Sequence, residues 1–195
     1  MTKTLAKRLE KVVGNLIHSN QSGFVKGRFI GEGIHFMEDI IGYADENKLC
    51  GLAFKFDFEK AFDSVEWKFL LNVLGKFGFG PDFIKWIKTC YTNLFSSVEN
   101  SGYTTVWFKV LRGVRQGCPL SSLLFILVVE ILAIKVRNKT EIQGIQIGDR
   151  EHKIFQFADD TTCFLRTEDS IAALLCTINR FSKYSGLRLN IDKIV

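Results

Sequence analysis

Three aspartates, in two settings, carry the strongest chemical signal in the chain. Asp57 lies in Ala53-Phe54-Lys55-Phe56-Asp57-Phe58, and Asp159 and Asp160 lie in Phe155-Gln156-Phe157-Ala158-Asp159-Asp160-Thr161. Each set ends an apolar, strand-like run, and 102 residues separate Asp57 from Asp159. Strands that set bare carboxylates side by side make a hard, oxygen-rich site. Mg²⁺ favours such a site, because it takes a few carboxylates plus substrate phosphates rather than a closed protein cage. Two such ions about 3.5–4 Å apart can activate an attacking 3′-hydroxyl and stabilise a leaving pyrophosphate in line. The pattern points to nucleotidyl transfer. Taken singly, Asp57 also reads as an exposed residue at a strand end, and Asp159-Asp160 as a plain turn. Short hairpin turns ordinarily take Asn-Gly or Asp-Gly, however, so Ala-Asp-Asp between two apolar strands is unusual.

The elements that must position these groups follow from periodicity and punctuation. Leu5, Leu9, Val12, Val13, Leu16 and Ile17 recur at helical spacing, which predicts a helix from Thr2 or Thr4 to Ile17. Residues 20–33 are glycine-rich and read as loop, and a second helix is expected over 34–46. Residues 52–57 predict a short buried strand. Ser64 is placed as the N-cap of a helix that buries Val65, Phe69, Leu70, Val73 and Leu74. Pro81 opens the next helix, to about Leu94. Residues 97–110 read as a hairpin turning at Asn100-Ser101-Gly102, and Pro119 opens a long apolar helix to Arg137. Strands over 142–147 and 153–157 flank a turn at 148–151, and a further strand covers 161–165. A helix over 171–184 ends at Gly186, and 187–190 form a last short strand. Helices mixed with antiparallel hairpins indicate an α+β fold.

Composition narrows the class. The chain has 195 residues, 47% of them hydrophobic and only two of them proline, enough for a real core and little disorder. The net charge of +5 resides entirely in residues 1–28, where Lys3, Lys7, Arg8, Lys11, Lys26 and Arg28 face Glu10 alone. That region could contact phosphates or simply be a solvated helix face. Five scattered cysteines without a C-x-x-C pair argue against a zinc site and a disulfide framework and predict reduced thiols in an intracellular protein, nuclear or cytoplasmic. The uncharged run 117–129 is too short to span a bilayer, so a buried helix and no membrane association are expected.

Longer motifs now become informative. Phe56-Asp57-Phe58-Glu59-Lys60-Ala61-Phe62-Asp63-Ser64-Val65-Glu66-Trp67 resembles the first palm motif of reverse transcriptases from non-LTR retrotransposons, the long interspersed elements. Gly113-Val114-Arg115-Gln116-Gly117-Cys118-Pro119-Leu120-Ser121 resembles their second palm motif. Phe157-Ala158-Asp159-Asp160 is similar to their catalytic turn. Ser185 to Lys193 resembles the motif that follows the turn, and Asn20 to Arg28 the segment before the first palm strand.

That resemblance implies a polymerase palm, an antiparallel sheet backed by helices, over 51–195. Residues 1–50 would then be part of the fingers and the lead-in to the palm. It implies that Asp57 and Asp159 bind two Mg²⁺ ions, with Mn²⁺ as a substitute, and that Asp160 assists them. Lys60 and Ala61 would offer backbone amides to a triphosphate. Phe62 would lie under the ribose and exclude a 2′-hydroxyl, although by periodicity alone it reads as a core aromatic. Gln116 and Gly117 would approach the incoming nucleotide and template. Arg115 would contact template or phosphate, or make a salt bridge. Lys26 and Arg28 would contact nucleic acid, and Lys193 would protonate the leaving pyrophosphate or be a plain surface lysine. Asp63 is expected to cap the following helix or pair with a cation. The implied partners are an RNA template, a DNA primer and deoxynucleoside triphosphates, and the implied reaction is RNA-directed DNA synthesis.

Two positions depart from the family pattern. Ser122 replaces a usual proline, which would loosen a helix start, and Phe157 replaces tyrosine. The resemblance also implies a basic finger segment before residue 1 and a thumb after residue 195, so an inactive nucleic-acid-binding fragment is the alternative expectation. A group II intron maturase-like polymerase is another. A viral RNA polymerase would favour Gly-Asp-Asp at the turn.

Overall fold

A computed structural model describes residues 1–194. Helix α1 (Thr2–Leu16) buries Leu5, Leu9 and Val13 and exposes Lys3, Lys7, Arg8 and Lys11. Helix α2 (Ile30–Glu46) leads to strands β1 (Leu52–Phe56) and β2 (Phe58–Glu59), then to a single turn, α3 (Ala61–Ser64). Helices α4 (Trp67–Lys76) and α5 (Pro81–Tyr91) follow. Strands β3 (Phe95–Ser96), β4 (Glu99–Asn100), β5 (Tyr103–Thr104) and β6 (Phe108–Lys109) form two nested antiparallel ribbons. Helix α6 (Pro119–Asn138) precedes β7 (Ile145–Ile147), β8 (Arg150–His152), β9 (Ile154–Phe157) and β10 (Asp160–Leu165). Helix α7 (Glu168–Ser185), strand β11 (Arg188–Leu189) and a 3₁₀ turn at Ile191–Lys193 complete the order.

The sheet that carries the aspartates has three antiparallel strands in the order β1-β10-β9. Its faces separate with the period of two that a strand imposes. Phe54, Phe56, Ile154, Cys163 and Leu165 join the main core with α1, α4, α6 and α7. Phe155 and Phe164 point the other way and meet Ile40 of α2 and Ile145 of β7. With both faces covered, β10 can read as a nearly continuous apolar run. Helix α6 is long and apolar enough to cross a membrane, but most of its residues between Leu120 and Val136 are buried among the other elements. A helix that is apolar all round is what the centre of a core requires.

Several expectations are corrected. Helix α2 starts at Ile30, not Ile34, and so includes Gly31 and Gly33. A Cβ on Gly33 would lie 2.1 Å from Cζ of Phe155, so the packing of that ring outweighs the weak helix propensity of glycine. Ser64 does not cap the next helix. It ends α3, donates its hydroxyl to the Glu59 carbonyl, and leaves Glu66 as the N-cap of α4. The turn at 148–151 is tighter than expected: Gly148-Asp149 alone joins β7 to β8, and β9 is a separate strand. The substitution at Ser122 leaves the start of α6 regular from Pro119.

Candidate active site

Strand pairing brings the aspartates together. In the β1–β10 ladder Lys55 lies opposite Thr162 and Phe56 opposite Thr161, so Asp57, the next residue, arrives at the level of Asp160. The β9–β10 hairpin turns through Ala158 and Asp159, and Asp160 pairs with Phe157. Burial pushes the Asp159 carboxyl above the ordinary carboxylate range. The charges of Asp160 and Asp57 push the same way, while its own backbone N–H and the Lys193 ammonium oppose them. Like charges this near one another favour any cation that can sit among them.

The Asp57 side chain is only 13% exposed. Its Oδ2 accepts a hydrogen bond from Lys193 Nζ at 2.7 Å, and its Oδ1 is buried without a hydrogen-bond partner among the described residues. Backbone pairing delivers the lysine. Leu189 lies opposite Phe58, Arg188 opposite Glu59, and the Asn190 N–H donates to the Asp57 carbonyl at 3.0 Å. Hydrogen bonding to Asp57 and the charge of that carboxylate raise the Lys193 pKa.

The hard oxygen donors and the orphaned Asp57 Oδ1 fit a divalent cation. As the side chains stand, the expectation of a converged three-carboxylate ligand set is not met. Among the described residues, no group of three His, Cys, Asp or Glu side chains is gathered closely enough to hold a metal ion. Mutual repulsion and the pull of Lys193 on Asp57 both act against closer approach. Mg²⁺ sites of this kind are completed by substrate phosphates rather than by protein alone.

The loop after β2 forms the floor. Lys60 is left-handed at φ +44°, a bend that starts α3 and buries Ala61. Phe62 is half-buried, stacked on Phe125 of α6 with centroids 4.6 Å apart, and met edge-on by Phe24 at 6.2 Å. One face packs on the core and part of the ring stays accessible. The second motif is stitched to this loop. Gly113 N–H donates to Val65 O, Val114 N–H to Phe62 O, and Trp67 Nε1 to Gly113 O. Gly113 has φ +91°, and a Cβ there would lie 2.7 Å from Asp63 O, so only glycine fits. Asp63 makes neither a cap nor an ion pair among the described residues, contrary to expectation, and contributes through its backbone instead. Beyond the stitch, Arg115, Gln116 and Gly117 are exposed, and the space beside Gly117 is open.

The basic residues separate. Lys26 is exposed and Arg115 has no ion pair among the described residues, so both are free to meet phosphate. Arg28 is not. Its guanidinium donates to the carbonyls of Gly14, Ile17, His18 and Gln21, where it satisfies the C-terminal end of α1. The expectation that Arg28 contacts nucleic acid is therefore corrected to a structural role.

One residue with no assigned role stands out. Gln21 is fully buried and hydrogen-bonded to Ala158 in the Ala158-Asp159 turn. Its only signal in the sequence was membership of the Asn20–Arg28 segment.

Comparison with known proteins agrees with this architecture. The reverse transcriptase (RNA-dependent DNA polymerase) family matches residues 1–195. The "Transposon TX1 uncharacterized 149 kDa protein" of Xenopus laevis is 32% identical over 160 residues, covering 82% of this chain and 12% of that protein. A "Retrovirus-related Pol polyprotein from type-2 retrotransposable element R2DM" of Drosophila melanogaster is 26% identical, covering 97% of this chain and 18% of that protein. The chain thus spans less than a fifth of the length of either relative. Among solved structures, telomerase from Candida albicans in complex with a fragment of telomeric RNA aligns with a TM-score of 0.72 at 12% identity, over 98% of this chain and 34% of that one. Apo telomerase from Candida tropicalis, truncated from its C-terminal domain, aligns at 0.67 and 17% identity, over all of this chain and 40% of that one. With the palm-like sheet, the aspartate register and a family match over the whole length, the chain belongs to the reverse transcriptase family.

Proposed function

We propose that these residues form the nucleotidyl-transfer centre of an RNA-directed DNA polymerase of a non-LTR retrotransposon. The observation that carries this reading is the β1–β10 register, which sets Asp57 level with the Asp159-Asp160 turn and leaves Asp57 Oδ1 without a partner among the described residues. Asp57, Asp159 and Asp160 would hold divalent ions, Mg²⁺ or Mn²⁺. When bound, these make the primer 3′-hydroxyl more acidic and neutralise charge on the leaving pyrophosphate. Every other part falls to the chain itself.

Lys193 holds a proton beside the reacting phosphates, its ammonium kept charged by Asp57. It can pass that proton to the departing pyrophosphate as a general acid. The accessible part of Phe62 bounds the sugar position, where a ring leaves no room for a 2′-hydroxyl. The Lys60 bend aims backbone at the triphosphate, Gln116 and Gly117 face the template and incoming base, and Lys26 and Arg115 meet backbone phosphates. The substrates are then deoxynucleoside triphosphates, a DNA primer and an RNA template. The Candida albicans telomerase that shares the fold is described in complex with a fragment of telomeric RNA.

Extension of a DNA primer annealed to RNA, with Mg²⁺ and deoxynucleoside triphosphates, tests the reading. Wild type adds nucleotides and Asp159→Asn does not, with the same circular dichroism spectrum. Equal addition by both would refute it.

A further inference from the structure

The catalytic turn is held from outside its own hairpin. Ala158 adopts φ +55°, a left-handed conformation that costs an L-residue free energy and that hairpin turns usually give to Gly or Asn. It is also 4% exposed, so its backbone polar groups cannot turn to water. Gln21, 137 residues away in sequence and fully buried, supplies both missing partners. Its Oε1 accepts from the Ala158 N–H at 2.9 Å and its Nε2 donates to the Ala158 carbonyl at 3.2 Å. The same Oε1 accepts from the Gly23 N–H at 2.8 Å, which fixes the amide orientation.

The segment bearing Gln21 is itself anchored. Gln21 bridges Gln156 in parallel, Gln156 N–H donates to Asn20 O at 2.7 Å, and Ser22 N–H donates to Gln156 O at 3.0 Å. Asn20 Nδ2 donates to Ile154 O, and Arg137 donates to Asn20 Oδ1. Gly23 lies so close that a Cβ there would stand 2.3 Å from Ala158 N.

From this geometry we infer that Gln21 is a positioning residue for Asp159 and Asp160: its carboxamide locks Ala158 in the left-handed conformation that sets the angle of both carboxylates. The inference rests on the metal-binding reading of those aspartates. Gln21 needs both a donor and an acceptor because one left-handed residue exposes an N–H and a C=O together. A hydrophobic residue of equal volume would fill the space and leave both groups unpaired.

The test uses the purified chain with Gln21→Met, which keeps the volume, and Gln21→Glu, which keeps the acceptor. Two readouts are taken: amide hydrogen exchange at Ala158, and affinity for Mn²⁺ alone by electron paramagnetic resonance, with Asp159→Asn as the reference. In Gln21→Met, Ala158 exchange should accelerate at least about tenfold while the β1–β10 amides keep their protection. Mn²⁺ affinity should fall roughly 10- to 100-fold, the range for lost support of a metal ligand. Gln21→Glu should retain most of the Ala158 protection. Unchanged Ala158 exchange in Gln21→Met, or faster exchange with unchanged Mn²⁺ affinity, would overturn the inference. If wild type and Asp159→Asn bind Mn²⁺ alike, the metal reading fails instead, and the exchange measurement alone decides whether Gln21 holds the turn.

Discussion

Lys193 Nζ lies 2.7 Å from Asp57 Oδ2, a contact made across 136 residues of chain. The ammonium occupies one oxygen of a carboxylate whose other oxygen has no partner among the described residues. Lys193 is therefore both the proposed proton donor and a competitor for metal. The two roles have opposite signatures. Lys193→Met should raise Mn²⁺ affinity, by roughly two- to fivefold for a lysine this exposed. The same variant should slow RNA-templated extension by about 10²-fold or more, the usual worth of a lost general acid. Weaker Mn²⁺ binding together with undiminished extension would contradict both.

Asp159 should be a residue that lowers stability. Burial raises its folded pKa above the unfolded value, so its favourable contribution is complete only when protonated, below about pH 4, and is lost as pH rises. The ionised form of the carboxylate is thus a net strain on the fold. Asp159→Asn, in metal-free buffer at pH 7, should raise Tm. The gain should shrink as pH falls toward 4. A lower Tm at pH 7 would show that the carboxylate is satisfied in a way the turn geometry does not provide.

Arg28 and Lys26 are two residues apart and predict opposite behaviour. Arg28→Ala removes hydrogen bonds to four backbone carbonyls and should destabilise the fold by about 2–3 kcal/mol in chemical denaturation. Lys26→Ala should leave stability unchanged and reduce the salt slope of RNA binding by about one. A change in salt slope from Arg28→Ala at constant stability would return Arg28 to the phosphate-contacting set.

These cases show what the sequence carries and what it does not. The apolar runs ending at Asp57 and Asp159 were legible because strands have a period of two and both faces here are covered. The end of the last helix was legible because Gly186 alone fits at φ +80°, where a Cβ would lie 2.3 Å from Ser64 O. The role of Arg28 was not legible, because its four acceptors converge only once α1 and the following loop have folded. Nor was that of Gln21, whose partner is 137 residues away. The early start of α2 depends on the Phe155 ring seated over Gly33, a contact between distant segments.

Phe62 should affect two measurements at once. Phe62→Ala removes a ring stacked on Phe125 and should destabilise the fold by about 2–3 kcal/mol, less than a fully buried phenylalanine. In primer extension it should also raise incorporation of ribonucleotides relative to deoxynucleotides, because the steric penalty on the 2′-hydroxyl is gone. A destabilised variant with an unchanged sugar ratio would make Phe62 a core residue only.

Asp57 and the Asp159-Asp160 turn would together form one two-ion centre completed by substrate. The most direct measurement counts Mn²⁺ bound per chain in the presence of a dideoxy-terminated DNA primer on RNA and a matching deoxynucleoside triphosphate. Wild type should bind two ions, and both Asp57→Asn and Asp159→Asn should lose at least one. The same count in wild type and in both variants would contradict it.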